Sequence, residues 1–158
     1  WLTDITEHWT GEGKLYLCAV KDACSNRVVG YSIDSRMKSR LAVAALNNAV
    51  ARRGDVTGCV VHTDRGSQFR SRKFVRALSR HEMVGSMGRV GACGDNAAME
   101  SFFSSLKTER TANKIYRTRD EARADVFDYI ERFYNTTRRH STIGYLSPVE
   151  FERRVGLA

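Results

Sequence analysis

The sequence predicts an α/β domain with a mixed five-stranded sheet, in which three antiparallel strands come first and helices flank the sheet. Two observations lead to this prediction. Three short, β-prone segments at the start of the chain follow one another through connections of turn length, which is typical of an antiparallel meander. After them, helical periodicity alternates with short apolar segments, as it does in layered domains with a mixed sheet.

Four of the five predicted strands lie in the first part of the chain. They cover residues 1–6, 15–20, 27–33 and 57–62. Gly11 and Gly13 interrupt the chain between the first two, and residues 22–26 have the composition of a turn between the next two. Before the fourth strand, a helix capped by Ser39 is predicted to run through about Arg53. Its apolar face consists of Ala42, Leu46, Ala49 and Val50.

The remaining part of the chain is mainly helical. Ser71 opens a helix, a brief strand near 83–86 completes the sheet, and Glu100 lies in the helix that follows. Thr118 begins a further helix with the Thr-x-x-Glu pattern of a capping box, and Pro148 starts a last helical turn. Three antiparallel strands followed by alternating helices and strands are the order expected of a ribonuclease H-like fold.

Composition describes one basic domain. The 158 residues suffice for a substantial core and contain no repeat or linker, and the start at Trp1 on strand-like sequence leads us to expect a domain excised from a longer parent. The net charge of +8 is explained either by solubility or by binding to a polyanionic partner, and for a basic domain that partner is usually nucleic acid. No apolar run approaches the roughly 20 residues of a membrane span, and no signal peptide is visible. The four cysteines lack zinc or disulfide spacing, so we expect a cytoplasmic protein.

Three carboxylates stand out as candidates for shared chemistry. Asp4 lies within the first strand among hydrophobic residues, where a carboxylate is costly unless it is paired or bound to metal. Asp64 follows the fourth strand, and Glu100 lies on the polar side of an amphipathic helix. If the first and fourth strands are neighbours, all three meet at one edge, and oxygen ligands without Cys or His select Mg²⁺ or Mn²⁺. Each acid also has a simpler explanation when it is considered alone: Asp4 as an acid on an edge strand, Asp64 as a turn residue and Glu100 as a solvated helix residue.

The helix that carries Glu100 has a glycine-rich approach. Residues 85–94 contain four glycines and predict a mobile loop, which makes Glu100 the acid expected to be the least well positioned. Asp95 or Asn96 is expected to cap the helix. Because Asn96 and Lys107 lie on the same helical stripe as Glu100, both are candidates for contact with a ligand.

The sequence resembles the D,D(35)E class of transposases and retroviral integrases, and in particular the transposases of the IS-three group of bacterial insertion sequences. Thirty-five residues separate Asp64 from Glu100, which is the interval that names the class. Matching blocks include Trp-Leu-Thr-Asp-Ile-Thr at 1–6, His-Thr-Asp-Arg-Gly at 62–66, Asp-Asn-Ala at 95–97 with Glu-Ser-Phe-Phe at 100–103, Tyr-Asn at 134–135 with Arg138 and His140, and Gly-Tyr at 144–145 with Ser-Pro at 147–148. They span nearly the whole chain.

The resemblance implies a transposase catalytic core over residues 1–158, with a DNA-binding region upstream. Such cores bind divalent metal, two ions of Mg²⁺ or Mn²⁺, and here the matching ligands are Asp4, Asp64 and Glu100. They nick DNA to free a 3′-OH and use that hydroxyl to attack a second phosphodiester, and they act as dimers or higher multimers. Lys107 matches a DNA-contacting position of the family.

Further DNA contacts and two rival functions stay open. Arg138 and His140, together with a basic helix face, are candidates for neutralising phosphates, although solvated side chains are the simpler explanation for any one of them. That face comprises Arg70, Arg72, Lys73, Arg76 and Arg80. His62 is either packed or a support for Asp64. The rivals are a ribonuclease H-like or junction-resolving nuclease and a non-catalytic DNA-binding remnant of a transposase.

Overall fold

A mixed five-stranded sheet forms the centre of the fold in the computed structural model, which describes residues 1–88 and 96–157. The strands are β1 (Leu2–Thr10), β2 (Gly13–Lys21), β3 (Val28–Asp34), β4 (Val60–Thr63) and β5 (Val84–Met87). Their order across the sheet is β3-β2-β1-β4-β5. The pairs β1–β2 and β2–β3 are antiparallel, whereas β1–β4 and β4–β5 are parallel. The predicted fold class is therefore confirmed, with β1 at its centre.

Six α-helices surround the sheet within the described part of the chain. They are α1 (Ser39–Arg53), α2 (Ser67–Arg70), α3 (Arg72–Arg80), α4 (Ala97–Leu106), α5 (Arg119–Asp128) and α6 (Pro148–Val155). Two π-helical turns, Lys107–Thr111 and Tyr129–Tyr134, continue α4 and α5. The sequence predicted neither these turns nor α2. The sequence also predicted that the fourth strand begins at residue 57. In the structure, the N–H of Cys59 donates to the carbonyl of Val56 and closes a turn, so β4 begins only after Cys59.

Side-chain caps define where three of the helices begin. The Ser71 hydroxyl accepts from the N–H of Phe74 at the start of α3, and Ser147 forms a complete capping box at α6. Thr118 accepts from the N–H of Glu121 at α5. In a complete capping box, the Glu121 carboxylate would also accept from the N–H of Thr118. Here it accepts from the N–H of Arg117, the residue before the cap.

The two faces of the sheet bury separate apolar clusters. Strand alternation directs Cys18 and Val20 towards α1 and α3, and Leu17 and Ala19 towards α4 and α5. A Cβ at Gly30 would lie 2.4 Å from the backbone nitrogen of Ala49, so glycine lets α1 approach β3 closely. The layers therefore hold β1 between two packed helical faces.

Two polar anchors attach the C-terminal part of the chain to this sheet. The buried amide of Asn135 accepts from the N–H of Val28 (3.0 Å) and donates to its carbonyl (2.9 Å), as a neighbouring strand would. Glu152 of α6 is fully buried and accepts from Arg27 (2.6 Å), Arg53 and the Ser25 hydroxyl (2.7 Å).

Candidate active site

Two of the predicted acids meet where β4 ends beside β1. Leu2 lies opposite His62 in this parallel pair. Asp4 and Asp64, each two residues further along, therefore come side by side, and their carboxyl groups are within hydrogen-bonding distance of each other. Asp4 is half-buried and lies on the face of β1 that α4 covers, whereas Asp64 is exposed.

Burial is the main reason that the pKa of Asp4 is raised to about 6. The neighbouring carboxyl group of Asp64 raises it further, while the N–H of Ile5, 2.8 Å from Oδ1, and the amide of Asn96 lower it. Two carboxylates this close repel one another when both are ionised, so the pair favours a bound cation.

The turn after β4 holds the Asp64 side chain in place. The N–H of Gly66 donates to its Oδ1 at 2.7 Å, and the Thr63 hydroxyl donates to its carbonyl at 2.8 Å. A Cβ at Gly66 would lie 2.9 Å from the same Oδ1, so only glycine leaves the carboxylate undisturbed. Asp64 is thus a turn residue whose carboxylate is oriented by the backbone beside Asp4.

Asn96 is the residue just before α4, in the N-cap position, but its side chain does not cap the helix. The predicted cap by Asn96 is therefore wrong, and the alternative cap, Asp95, lies outside the described residues. The buried amide lies beside Asp4, close enough to lower its pKa. Within the described residues, neither amide atom forms a hydrogen bond of good geometry. The amide is therefore a polar group at the acid pair with bonding capacity to spare.

Glu100 lies exposed in the first turn of α4, one turn beyond Asn96. Across residues 1–88 and 96–157, no three His, Cys, Asp or Glu side chains lie close enough to hold one metal ion. The structure brings Asp4 and Asp64 together and places Glu100 on the adjacent helix, so the three-acid ligand set stays a prediction. Of the predicted loop at 85–94, residues 89–94 lie outside the described residues, and residues 85–87 belong to β5.

Lys107 marks the other end of α4. Burial lowers the pKa of His8 on β1 to about 4, and the nearby ammonium group of Lys107 lowers it further. Asp4 and His8 share one face of β1. Helix α4 therefore follows β1 from Asn96 at the acid pair to Lys107 near His8, so that both predicted contacts lie along one edge.

The remaining predicted DNA contacts have protein partners. Nε of Arg138 donates to both carboxylate oxygens of Glu109, at 2.8 and 2.9 Å. Burial, followed by the charges of Arg138 and Lys21, lowers the pKa of His140 to about 4, so this imidazole is neutral at pH 7. Any phosphate contact by His140 is thus a hydrogen bond rather than an ion pair. His62 contacts the Ser86 hydroxyl at 3.0 Å and links β4 to β5.

The basic residues predicted to face outward from α2 and α3 are exposed. Lys21 was missed, although its position carried a signal. It continues the alternation of Leu17 and Ala19, so a lysine occupies an apolar position of β2 and is buried beneath α4. None of the helices in the described ranges is long and apolar enough to cross a membrane.

Comparison with protein families gives two matches to the integrase core domain, one over residues 1–93 and the other over residues 100–155. The transposase InsF for insertion sequence IS3A of Escherichia coli (strain K12) is 47% identical over 154 residues, which is 98% of this chain and 54% of InsF. The transposase for insertion sequence element IS904 of Lactococcus lactis is 41% identical, over 97% of this chain and 60% of that protein. The chain spans little more than half the length of these relatives.

Solved structures with the same fold include two viral integrases. The HTLV-2 integrase catalytic core domain in complex with magnesium, in its trimeric form, superimposes with a TM-score of 0.70 at 16% identity, over 96% of this chain and 93% of that one. A chain of the simian T-cell lymphotropic virus intasome in complex with PP2A regulatory subunit B56 gamma superimposes with a TM-score of 0.76 at 18% identity. The match covers 96% of this chain and 52% of that one. At these identities the likeness establishes the fold alone.

Proposed function

This chain belongs to the integrase core domain family, and we propose from that membership that it is the catalytic core of an insertion-sequence transposase of the IS-three group. The activity is metal-dependent nicking of DNA to free a 3′ end, followed by strand transfer through transesterification. The observation that carries the proposal is the adjacent pair of carboxyl groups, Asp4 and Asp64, at the junction of β1 and β4.

The acid pair fits a divalent cation. Asp4 and Asp64 offer hard oxygen donors, and the raised pKa of Asp4 reflects burial and mutual repulsion that a bound cation would relieve. The imidazole of His62 is engaged with Ser86, so the donor set is one that suits Mg²⁺ or Mn²⁺ rather than zinc. Asp4, Asp64 and Glu100 would hold two such ions. When bound, they activate the attacking oxygen and stabilise the leaving oxygen of a phosphodiester.

The chain's other residues position DNA for this chemistry. The N–H of Gly66 orients Asp64, and the free amide of Asn96 offers a hydrogen bond beside the acid pair. Lys107, further along α4, supplies a positive charge for a phosphate next to the one that reacts. The exposed basic face of α2 and α3 attracts the DNA backbone without reading its sequence.

The proposed partners are DNA of the element ends and of the target, and further copies of the protein in the active complex. The named relatives come from bacteria, and we place the reaction in the bacterial cytoplasm, where the chromosome lies. The sequence-specific recognition of element ends is assigned to the whole transposase rather than to these residues.

The test is cleavage of a fluorescent DNA duplex that carries an element end, with Mg²⁺ or Mn²⁺, accompanied by a calorimetric titration with Mn²⁺. Asp64→Asn preserves the acceptor for the Gly66 N–H but removes the charge. We expect this variant to lose both cleavage and Mn²⁺ binding. The matched control is Asp120→Asn, because Asp120 is an exposed carboxylate on α5 that forms a salt bridge with Arg123, one turn away on the same helix.

Cleavage that survives Asp64→Asn would refute the assignment of the metal site. Cleavage of RNA–DNA hybrids alone would favour the ribonuclease H-like alternative. Metal-independent DNA binding, with no cleavage under any condition, would favour the non-catalytic remnant.

A further inference from the structure

A polar cavity of about 310 Å³ lies on the flank of α4 that faces away from the acid pair. Its walls come from the end of β2, one side of α4 and the segment that follows the π-helical turn at Tyr129–Tyr134. The volume is about ten times that of a water molecule in the liquid. Ser141 and Thr142 at its rim are exposed, so the cavity reaches solvent. We call it the Lys21 pocket.

Lys21 is a buried ammonium group with too few partners. Its side chain is almost inaccessible, with 4% of the residue exposed, and Nζ donates to the carbonyl of Ala98 at 3.2 Å. Among the described residues, no carboxylate forms a salt bridge with it. Burial, followed by the charge of Arg138, lowers its pKa to about 8, so it is still mostly protonated at pH 7. A buried cation in this state is costly unless an anion accompanies it.

Two further nitrogen-bearing side chains line the pocket. The guanidinium group of Arg138 reaches the Ser105 hydroxyl at 3.3 Å, with its charge shared with Glu109. His140 packs edge-on against Tyr134, and its Nε2 is buried without a partner among the described residues. The charges of Lys21 and Arg138 both lower the pKa of His140. Two cationic groups, Lys21 and Arg138, thus lie beside one neutral imidazole in a single cavity.

The rest of the lining adds hydrogen-bond donors and no negative charge. Hydroxyl groups come from Ser101, Ser105, Ser141 and Thr142, and none of the described residues that line the pocket is an acid. Cationic groups combined with neutral donors are the arrangement that binds phosphate oxygens.

We infer that the Lys21 pocket binds a phosphate group of the DNA backbone, held by the ammonium of Lys21, the guanidinium of Arg138 and the surrounding hydroxyls. This inference rests on the proposed function and extends it, because it names the contact that anchors DNA beside the acid pair. Lys21 stands opposite Leu2, two residues along β1 from Asp4. Ordinary sheet geometry then separates the Cα atoms of Lys21 and Asp4 by roughly 8 Å. The pocket and the acid pair therefore lie on two sides of α4 and are near enough for one DNA molecule to contact both.

The first experiment measures thermal unfolding with inorganic phosphate against chloride at equal ionic strength. At a concentration tenfold above its dissociation constant, phosphate should raise the midpoint of the unmodified chain by roughly 3–5 °C. Lys21→Met should lose this increase, and its own midpoint without phosphate should be unchanged or higher, because the variant lacks the uncompensated buried charge.

Lys14→Met is the matched control. Lys14 belongs to the same strand but to its opposite face, where it forms an exposed salt bridge with Glu7 at 3.2 Å. It should keep the full response to phosphate. A second variant, Ser101→Leu, narrows the pocket at an exposed position and should also lose the response. If Lys21→Met unfolds earlier yet keeps the response, Lys21 merely supports α4 and the inference is wrong.

The second experiment separates DNA from free phosphate. Binding of a short labelled duplex is measured by fluorescence anisotropy without divalent metal, as a function of salt. Lys21→Met should lower the slope of log affinity against log salt by about 0.9, the value for one phosphate, and Lys14→Met should not. If the phosphate response is lost but the slope is unchanged, the pocket holds free phosphate and the DNA assignment is wrong. Because neither experiment involves cleavage or metal, their failure is distinct from failure of the proposed function.

Discussion

Replacing Glu152 by Gln should destabilise the fold by removing the carboxylate that pairs with both Arg27 and Arg53, the second of which also contacts Asp22 at 3.4 Å. Glu152 is inaccessible to solvent, and the side chains of Arg27 and Arg53 are 21% and 16% exposed. Gln preserves the shape and can still accept from the Ser25 hydroxyl, but it leaves both guanidinium groups without their partner in α6. Breaking a buried ion pair on one side costs about 3–5 kcal/mol, and we take the lower end because both arginines retain some contact with water.

A loss of about 3 kcal/mol is measured by urea unfolding followed by circular dichroism, with a matching fall of roughly 6–12 °C in the thermal midpoint. The control is Glu7→Gln, because Glu7 forms an exposed pair with Lys14 and such pairs contribute at most about 1 kcal/mol. A loss in Glu152→Gln no larger than that of the control would refute the claim that this cluster anchors α6.

The pH dependence of the same variant gives an independent check. Burial alone would raise the pKa of Glu152, but hydrogen bonds from Arg53, Ser25 and Arg27 outweigh it and hold the pKa below its ordinary value of 4.5. Stability from a lowered carboxyl pKa is complete above the ordinary value and is lost as pH falls through the folded-state pKa. The difference between the two proteins should therefore be constant near neutrality and shrink only below pH 4.5.

Three further predictions follow from contacts in the sheet and its turns. Gly66→Ala should displace the Asp64 carboxylate, since its Cβ would lie 2.9 Å from Oδ1, and lower the cleavage rate roughly tenfold or more with little change in thermal midpoint; an unchanged rate would show that the turn does not orient Asp64. Asn135→Ala should cost about 2–4 kcal/mol in urea unfolding, because the N–H and carbonyl of Val28 lose their partner, whereas Thr136→Ala at the exposed neighbouring position should cost little; equal losses would contradict this. Because the pKa of His8 is lowered from 6.5 to about 4, unfolded chains bind its proton first as pH falls, and up to roughly 3 kcal/mol of stability should be lost between pH 6.5 and 4. His8→Gln should flatten that slope and His81→Gln should not; equal slopes in both variants would contradict the assignment.

Local patterns explain why much of the fold was predictable. The helix predicted before the fourth strand appears and ends at Arg53, because apolar spacing depends only on neighbours within a few turns, although Ser39 is its first residue and not its cap. The caps at Ser71, Thr118 and Ser147 likewise depend on groups three residues away. Asn96 shows the limit of this reasoning. Its type and position suit a cap, but its amide lies beside Asp4 and makes no capping hydrogen bond.

For the candidate site, too, the sequence identified the residues but not their contacts. The chain pattern alone selected Asp4, Asp64 and Glu100 and joined them to one chemistry through the interval between the last two. Their sequence positions did not establish that Asp4 and Asp64 touch, because that contact depends on the parallel pairing of β1 with β4 across a long connection. Spacing along the chain also did not indicate how Glu100 would lie relative to the other two.

The sequence by itself determined the order of the strands and of the longer helices, the helix starts at Ser71 and Thr118, and the acids that carry the proposed chemistry, because each follows from periodicity, caps or a family motif. Only the tertiary structure decided that Lys21 is buried beside Arg138 and His140, that Glu152 balances two arginines, and that Asn135 completes the edge of β3. These residues are ordinary polar residues in the linear chain. Packing brings them together from distant segments and removes water, and it is the loss of water that makes each unpaired charge or amide consequential.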